Sequence, residues 1–387
     1  MNSTEYNQIS TILNGLYEQA TGKKAIGPIP TNQFVSVAQT TLKCGYDPLL
    51  NAISQMVNRT IFSVRPYTRK FAGLKVDSQK FGAVTRKLKI SDKSFEDDQR
   101  YELVEGASID MFKVAKPNIL QLNFYGSHTY QKHYTIFKDQ LDTAFTGPQQ
   151  LSEFMTMVTT NASNQVEKAH ESLSRAVIAN YIAGKHEIDA KSVIHLLTEY
   201  NAITGLALDK NSVYQPANFK PFMAWVYSRV AELSSMMTEY TTMYQVNITD
   251  KEVTQHSPTH KQKVYLYAPY RYQTEAMVLA DTYHDTFLKM ADNDTVNYWQ
   301  DPLKPNEIQV APVYMDNSGT LIDGSATTIE DIFGVIFDSD TMGYTTISNW
   351  SAATPLNAAG GYWNVFMHWT DRYWTDYTEK GIILMMD

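Results

Sequence analysis

Residues Thr146 to Gly184 read "TGPQQLSEFMTMVTTNASNQVEKAHESLSRAVIANYIAG". Gly147-Pro148 opens a helix, since proline fits the first turn, where no backbone donor is needed. Leu151, Met155, Val158, Ala162, Val166, Ala169, Leu173 and Ala176 then advance by three or four residues. Glu153, Asn161, Asn164, Lys168 and Glu171 occupy the opposite side, so one stripe faces a core and the other faces polar surroundings. Gly184 stands where a left-handed cap would end the helix. At 1.5 Å per residue, residues 148–183 would span roughly 54 Å, several times the usual helix length. A helix this long is a scaffold around which the rest of the chain is arranged.

Upstream, residues 1–60 read as short amphipathic helices. Tyr6, Ile9, Leu13, Leu16 and Tyr17 recur at helical spacing, and Asp47-Pro48 caps a second piece carrying Leu49, Leu50, Ile53, Met56 and Val57,. These pieces are too small to hold a core, so they form an arm expected to lie on something else. From Ser63 the chain turns strand-like in "SVRPYTRKF", "FGAVTRKLKI", "IDMFKVA" and "ILQLNFYGSHTYQKHYTIF". A long hairpin with polar residues on both faces is marginal alone and needs a partner surface.

Downstream, "IDAKSVIHLLTEY", "NFKPFMAWVYSRVAELSSMMTEYTTMY" and "RYQTEAMVLADTY" read as helices, and "KVYLYAP", "IQVAPVY" and "DIFGVIF" as strands, the last two buried,. This alternation makes one α/β unit. The chain then closes on strands in "GYWNVFMHWTDRYWTDYTEKGIILMMD". Trp363, Val365, Met367 and Trp369 share one face of a strand there.

The hydrophobic content of 43% against 19% charged residues places the chain among ordered globular proteins,. The N-terminal MNSTEYNQIS has neither a basic start nor an apolar core, and Cys44 is the single cysteine. The expectation is synthesis inside the cell without a signal peptide or internal disulfide. No apolar run is long enough to span a bilayer. The net charge of -8 argues against a surface that grips nucleic acid throughout,. Charge is uneven, however. Between Arg65 and Lys93 there are nine basic residues against Asp77 and Asp92, a local +7 that leaves about -15 elsewhere. An acidic stretch, "SFEDDQRYELVEG", follows directly.

Catalytic signatures are missing. There is no G-x-G-x-x-G, G-x-x-x-x-G-K-[ST], H-E-x-x-H or G-x-S-x-G,. His256 and His260 are separated by Pro258, which spoils the shared helical face a zinc pair needs,. His128 and His133 fall on opposite faces of a strand, and "DNSGTLIDG" lacks the carboxylate spacing of a calcium loop,. The residues therefore point to no enzyme, metal or cofactor.

The order of elements, with the stretches "YTIFKDQLDTAFTGPQQLSEFMTMVTTNASNQVEKAHESLSRAVIANYIA", "VYLYAPYRYQTEAMVLADTYHDTF" and "VIFDSDTMGYTTISNWSAATPLNAAGGYWNVFMHWTDRYWTDYTEKGIILMMD", resembles the major capsid protein of tailed double-stranded DNA bacteriophages, whose fold is shared with encapsulins. The stretches cover about a third of the chain. The resemblance implies an α+β fold with an N-terminal arm (1–60), an extended loop (61–121), a peripheral domain with its spine helix (122–183 and 345–387, helix 148–183) and an axial domain (184–344). The closing strand pair would complete the peripheral sheet. The implied function is a structural one: self-assembly into the icosahedral or prolate head shell enclosing the genome. Hexamers and pentamers of the chain itself would be the building units. The resemblance also implies assembly in the host cytoplasm, a place in the virion, a portal and decoration proteins as partners, and DNA held without sequence-specific contacts. No charged helical extension that could act as a fused scaffold is present, so a separate scaffolding protein is expected. An encapsulin-like cargo shell and a glycan-binding or tail-associated protein are the alternatives.

In that frame the basic residues Arg69, Lys70, Arg86, Lys87 and Lys89 and the acidic residues Glu96, Asp97, Asp98 and Glu102 are expected to meet neighbouring subunits and set their register,. The alternative is a solvated hairpin with scattered charges.

Overall fold

The computed structural model describes residues 10–11, 13–15, 17–18, 29, 33–43, 69–76, 85–91, 100, 103–109, 112, 118–124, 127–144, 147–249, 253–279 and 293–387. Glu96, Asp97, Asp98, Glu102, Cys44 and the capped segment after Asp47 lie outside these. The chain divides into two compact units.

The first unit comprises Met1–Phe81, Gly126–Leu173 and Tyr344–Arg372. Its sheet has the order β12-β13-β3, with β3 at His128–Phe137, β12 at Met342–Ala353 and β13 at Tyr362–Thr375. Strands β3 and β13 run antiparallel from Tyr362↔Phe137 to Asp371↔His128. Trp363, Val365, Met367 and Trp369 alternate into the core as expected. There they join Phe154, Val158, Ala162 and Val166 of the long helix α3 (Pro148–Ile188).

The same core takes in Leu13, Ile29, and Phe34 and Ala38 of helix α1 (Phe34–Lys43). The arm was expected to rest on something other than its own subunit, but these four side chains are buried within it. The reason is apolar area: burying a large apolar side chain in this core is worth roughly 1.5–3 kcal/mol. A short helix α2 (Lys138–Ala144) seals the end of β3, with Leu141 in the same core.

The second unit comprises Gly82–Tyr125, Ser174–Gly343 and Tyr373–Asp387. Its five-stranded sheet has the order β4-β14-β11-β5-β6. These strands are β4 (Val193–His195), β5 (Gln262–Tyr267), β6 (Asn293–Val296), β11 (Ile332–Asp338) and β14 (Gly381–Met385). Strand β11 sits in the middle, antiparallel to both β14 and β5. Besides the end of α3, the described residues of this unit include helices α4 (Leu196–Thr204), α5 (Pro216–Met237) and α6 (Ala268–Leu279). Helix α5 contacts both α4 and α6. The unit also holds the small antiparallel pairs β7 (Glu307–Val310) with β10 (Thr327–Glu330), and β8 (Val313–Met315) with β9 (Leu321–Asp323).

Four details differ from the sequence reading. Strand β14 was expected beside β12 and β13, yet it lies inside the five-stranded sheet, between β4 and β11. All five of its residues are buried, which is what a strand covered on both faces requires, whereas β13 alternates. Val193–His195 was read as helix but pairs in parallel with Ile383–Met385. The segment "IQVAPVY" was read as one buried strand. It breaks at Ala311-Pro312 into β7 and β8, which are only half buried. Finally, Gly184 does not end α3, which continues to Ile188. A side chain at that position would fall within 2.6 Å of the Tyr377 ring, so the glycine is there for close packing.

Candidate subunit interface

Strands β1 (Thr85–Ser91) and β2 (Asn118–Phe124) form a two-stranded ribbon, antiparallel from Thr85↔Phe124 to Ser91↔Asn118. The sequence TRKLKIS has period two, so Arg86, Leu88 and Ile90 share one face and Lys87 and Lys89 the other. Ordinary patterning would bury the leucine and isoleucine. The ribbon does the reverse: Leu88, Ile90 and Ile119 are 58%, 59% and 54% exposed, while Lys89 is 8% exposed. On β2, Leu120 and Leu122 follow the ordinary pattern and pack with Ile248 and Val253, Ile119 being the exception.

The inversion on β1 is explained by the turn between β13 and β14. Lys87 Nζ lies 2.8 Å from the Asp376 carboxylate and also meets Glu379. Lys89 Nζ lies 2.9 Å from Glu379 and donates to Thr378 Oγ1 at 2.7 Å. Asp376 further accepts the Thr378 amide and hydroxyl. Two ammoniums and two carboxylates thus neutralise one another where water is largely excluded. Burial alone would raise the Asp376 pKa, but Lys89, Lys87 and the Thr378 hydroxyl hold it below the usual carboxylate range,. Burial would likewise lower that of Lys87, yet Asp376 and Glu379 raise it above the usual lysine value.

Of the expected interface residues, the structure therefore leaves Arg86 on the outer face of the ribbon and turns Lys87 and Lys89 inward. In the first unit, Lys70 is exposed. Its neighbour Arg69 is 4% exposed and bonds both oxygens of Glu167 on α3, at 3.0 and 3.1 Å. Its guanidinium also sits over the Tyr344 ring. Arg69 was expected at a subunit contact, but a buried carboxylate on its own chain holds it. The acidic half of the expectation lies outside the described residues.

Sequence reasoning missed the counter-charges Asp376 and Glu379, the Thr378 hydroxyl between them and the lysines, and the exposed trio Leu88, Ile90 and Ile119. The available signal was the strict alternation of TRKLKIS, which puts two lysines on one face. It also missed a buried set in the first unit. Asp371 lies 3.3 Å from His170 Nε2 and accepts the Tyr130 hydroxyl. In the second unit, Lys185 is wholly buried, and donates to Asp189, Ser192 Oγ and the Tyr244 carbonyl. Among the described residues, no cluster of three or more His, Cys, Asp or Glu could hold a metal ion. No helix among them is long and apolar enough to cross a membrane.

The sequence matches the Phi29-like phage major capsid protein family over residues 9–385. No curated protein matches it. Among solved structures, a chain in the capsid of Staphylococcus phage Andhra is 10% identical with a TM-score of 0.53, covering 84% of this chain and 86% of that one. A chain in the structure of the head fiber and inner core protein gp22 of native bacteriophage P68 is also 10% identical with a TM-score of 0.53, covering 82% and 85%. At such identity these two likenesses speak for the fold alone.

Proposed function

The chain belongs to the Phi29-like phage major capsid protein family, and we propose that the outer face of its β1–β2 ribbon is where one copy engages the next. As a major capsid protein it is a structural subunit that associates with itself to build the phage head shell, and its place is the virion. The encapsulin-like and glycan-binding alternatives are not favoured.

The observation that carries the interface reading is the inverted ribbon. Asp376 and Glu379 hold Lys87 and Lys89 against the subunit's own body, fixing the ribbon's base. Arg86, Leu88, Ile90 and Ile119 are then presented outward together. An exposed apolar group with one cation beside it suits a protein contact, since apolar contacts supply affinity and a rim charge sets orientation. Lys70 is a second exposed cation available to a neighbour. Arg69, Lys87 and Lys89 serve the same end indirectly, by bracing the parts that make contact.

In this reading the first unit, with most of α3, corresponds to the peripheral domain, and the second to the axial domain together with the extended loop. Hexamers and pentamers are the building units, formed in the host cytoplasm around a separate scaffolding protein. A portal and decoration proteins are further partners, and double-stranded DNA is packaged without sequence-specific contacts. The acidity outside the basic run favours such a container, because a lining that bound phosphate tightly would hinder packaging and release. Electron cryomicroscopy of shells assembled from the full chain tests the reading. Leu88, Ile90 and Ile119 are expected in contact with an adjacent copy, and a map leaving all three facing solvent would refute it.

A further inference from the structure

The three-stranded sheet of the first unit packs on the long helix with one face. Its other face is made by alternate residues: Thr129 to Phe137 on β3, Tyr362 to Thr370 on β13 and Ser348 to Ala352 on β12. None of them is Asp, Glu, Lys or Arg, although those four types make up 19% of the chain and gather mostly on surfaces,. A row of rings crosses the middle of this uncharged face. Trp350 stacks on His368 with centroids 3.9 Å apart and planes 12° apart. Phe366 follows at 6.5 Å from His368, and His133 at 5.1 Å from Phe366. Trp350 is 54% exposed, and with one side of its indole on His368 the other side is open. Neutral hydrogen-bonding groups flank the row. Gln131 pairs with His368 across the strands, and the Thr135 hydroxyl donates to Asn364.

We propose that this face binds a neutral polysaccharide. The absence of charge is the first reason: a phosphate backbone or an acidic peptide finds no counter-ion here, whereas an uncharged ligand needs none. The second is the mixture of groups. A sugar ring has an apolar C–H face and a rim of hydroxyls; an open indole matches the one, and amides and hydroxyls that both donate and accept match the other. The third is size. Three strands and nine residues give a face of roughly 14 Å by 27 Å, about 400 Å². That is half of the roughly 800 Å² that each partner commits to a stable protein complex, but it accommodates a chain of a few sugar rings. Weak single sites suffice on a shell, because many linked copies bind together. Glycan binding is thus a second property of a shell subunit, and it does not depend on the ribbon contact.

The test uses purified shells of the full chain and three fluorescent probes: dextran, chitotetraose and heparin. Label that sediments with the shells is measured. At least one of the two neutral probes should be retained, and raising the salt concentration severalfold should change its binding by no more than about twofold, since no ion pair is involved. Trp350→Ala should weaken retention roughly tenfold or more, and Gln131→Ala should weaken it less. Shells that retain neither neutral probe overturn the proposal, as does full retention by Trp350→Ala. Retention of heparin alone would assign the face to polyanions and overturn it equally. Loss of shells in Trp350→Ala, with folded subunits remaining, would make the face a protein contact and also overturn it. Should Trp350→Ala not fold, Trp350→Leu keeps the apolar bulk without the ring and makes the same comparison, with weakened retention expected.

Discussion

The Arg69 guanidinium lies 3.0 Å from the Glu167 carboxylate, and both side chains are buried. This pair ties the stretch around Arg69 to the long helix α3 within one subunit. Removing one partner strands the other charge away from water, which typically costs 3–5 kcal/mol. Arg69→Ala should therefore destabilise the unassembled subunit by about 3 kcal/mol or more in denaturant unfolding. A loss below about 0.5 kcal/mol, the level of a surface substitution, would show the pair to be incidental.

The lysine clamp should behave differently from the outer face of the ribbon. Lys89→Met leaves Asp376 and Glu379 sharing Lys87 alone, so the ribbon should loosen. Hydrogen exchange at the amides of β1 and β2 should speed up by roughly tenfold or more, corresponding to about 1.4 kcal/mol. Unchanged exchange would mean that the β2 leucines alone hold the ribbon.

Arg86→Glu and Leu88→Asp alter side chains that point outward. Subunit stability should change by no more than about 0.5 kcal/mol, while the yield of closed shells should fall. Shells forming at the original level from both variants would argue against the ribbon contact.

Gly184→Ala would ordinarily stabilise a helix interior by about 1 kcal/mol. Here the added methyl meets the Tyr377 ring, and overpacking of that kind typically costs 1–3 kcal/mol. The net change in melting temperature should be downward. Combining it with Tyr377→Leu, which vacates the ring's space, should recover part of the loss.

Two groups make stability depend on pH, at opposite ends of the scale. Burial lowers the Lys380 pKa from 10.5 to about 8, against the opposing charge of Glu239. Between those values the unfolded chain holds the proton and the folded chain does not, so stability should rise as pH is raised through that window. Lys380→Met should flatten the rise. Asp376, with its folded pKa depressed, contributes stability that is complete above the unfolded value of about 4. That contribution should disappear as pH falls through the lower folded value. Asp376→Asn should remove the acid limb from an unfolding profile, and a limb that persists would assign it to other carboxylates.

Much of the fold was legible because its signals are local. The stripe from Leu151 to Ala176 repeats at the period of a helix, and Trp363 to Trp369 at the period of a strand, whatever surrounds them. The apolar run Ile382 to Met385 likewise marked a strand, but the order of elements pointed it to the peripheral sheet rather than to the five-stranded one it enters. The resemblance to tailed-phage capsid proteins was carried by the order of these same elements. The interface was legible only as a count of charges.

By itself, then, the sequence determined the helix, the strands and the uneven charge, since each depends on neighbours a few residues away. The tertiary structure decided the orientation of β1, the burial of Arg69, the sheet that takes β14 and the reason for Gly184. Each of these is settled by a partner distant along the chain. Glu167 lies 98 residues from Arg69 and Asp376 lies 289 from Lys87. A lysine turns inward only where the folded chain has already buried a carboxylate to meet it, and no local pattern encodes that meeting.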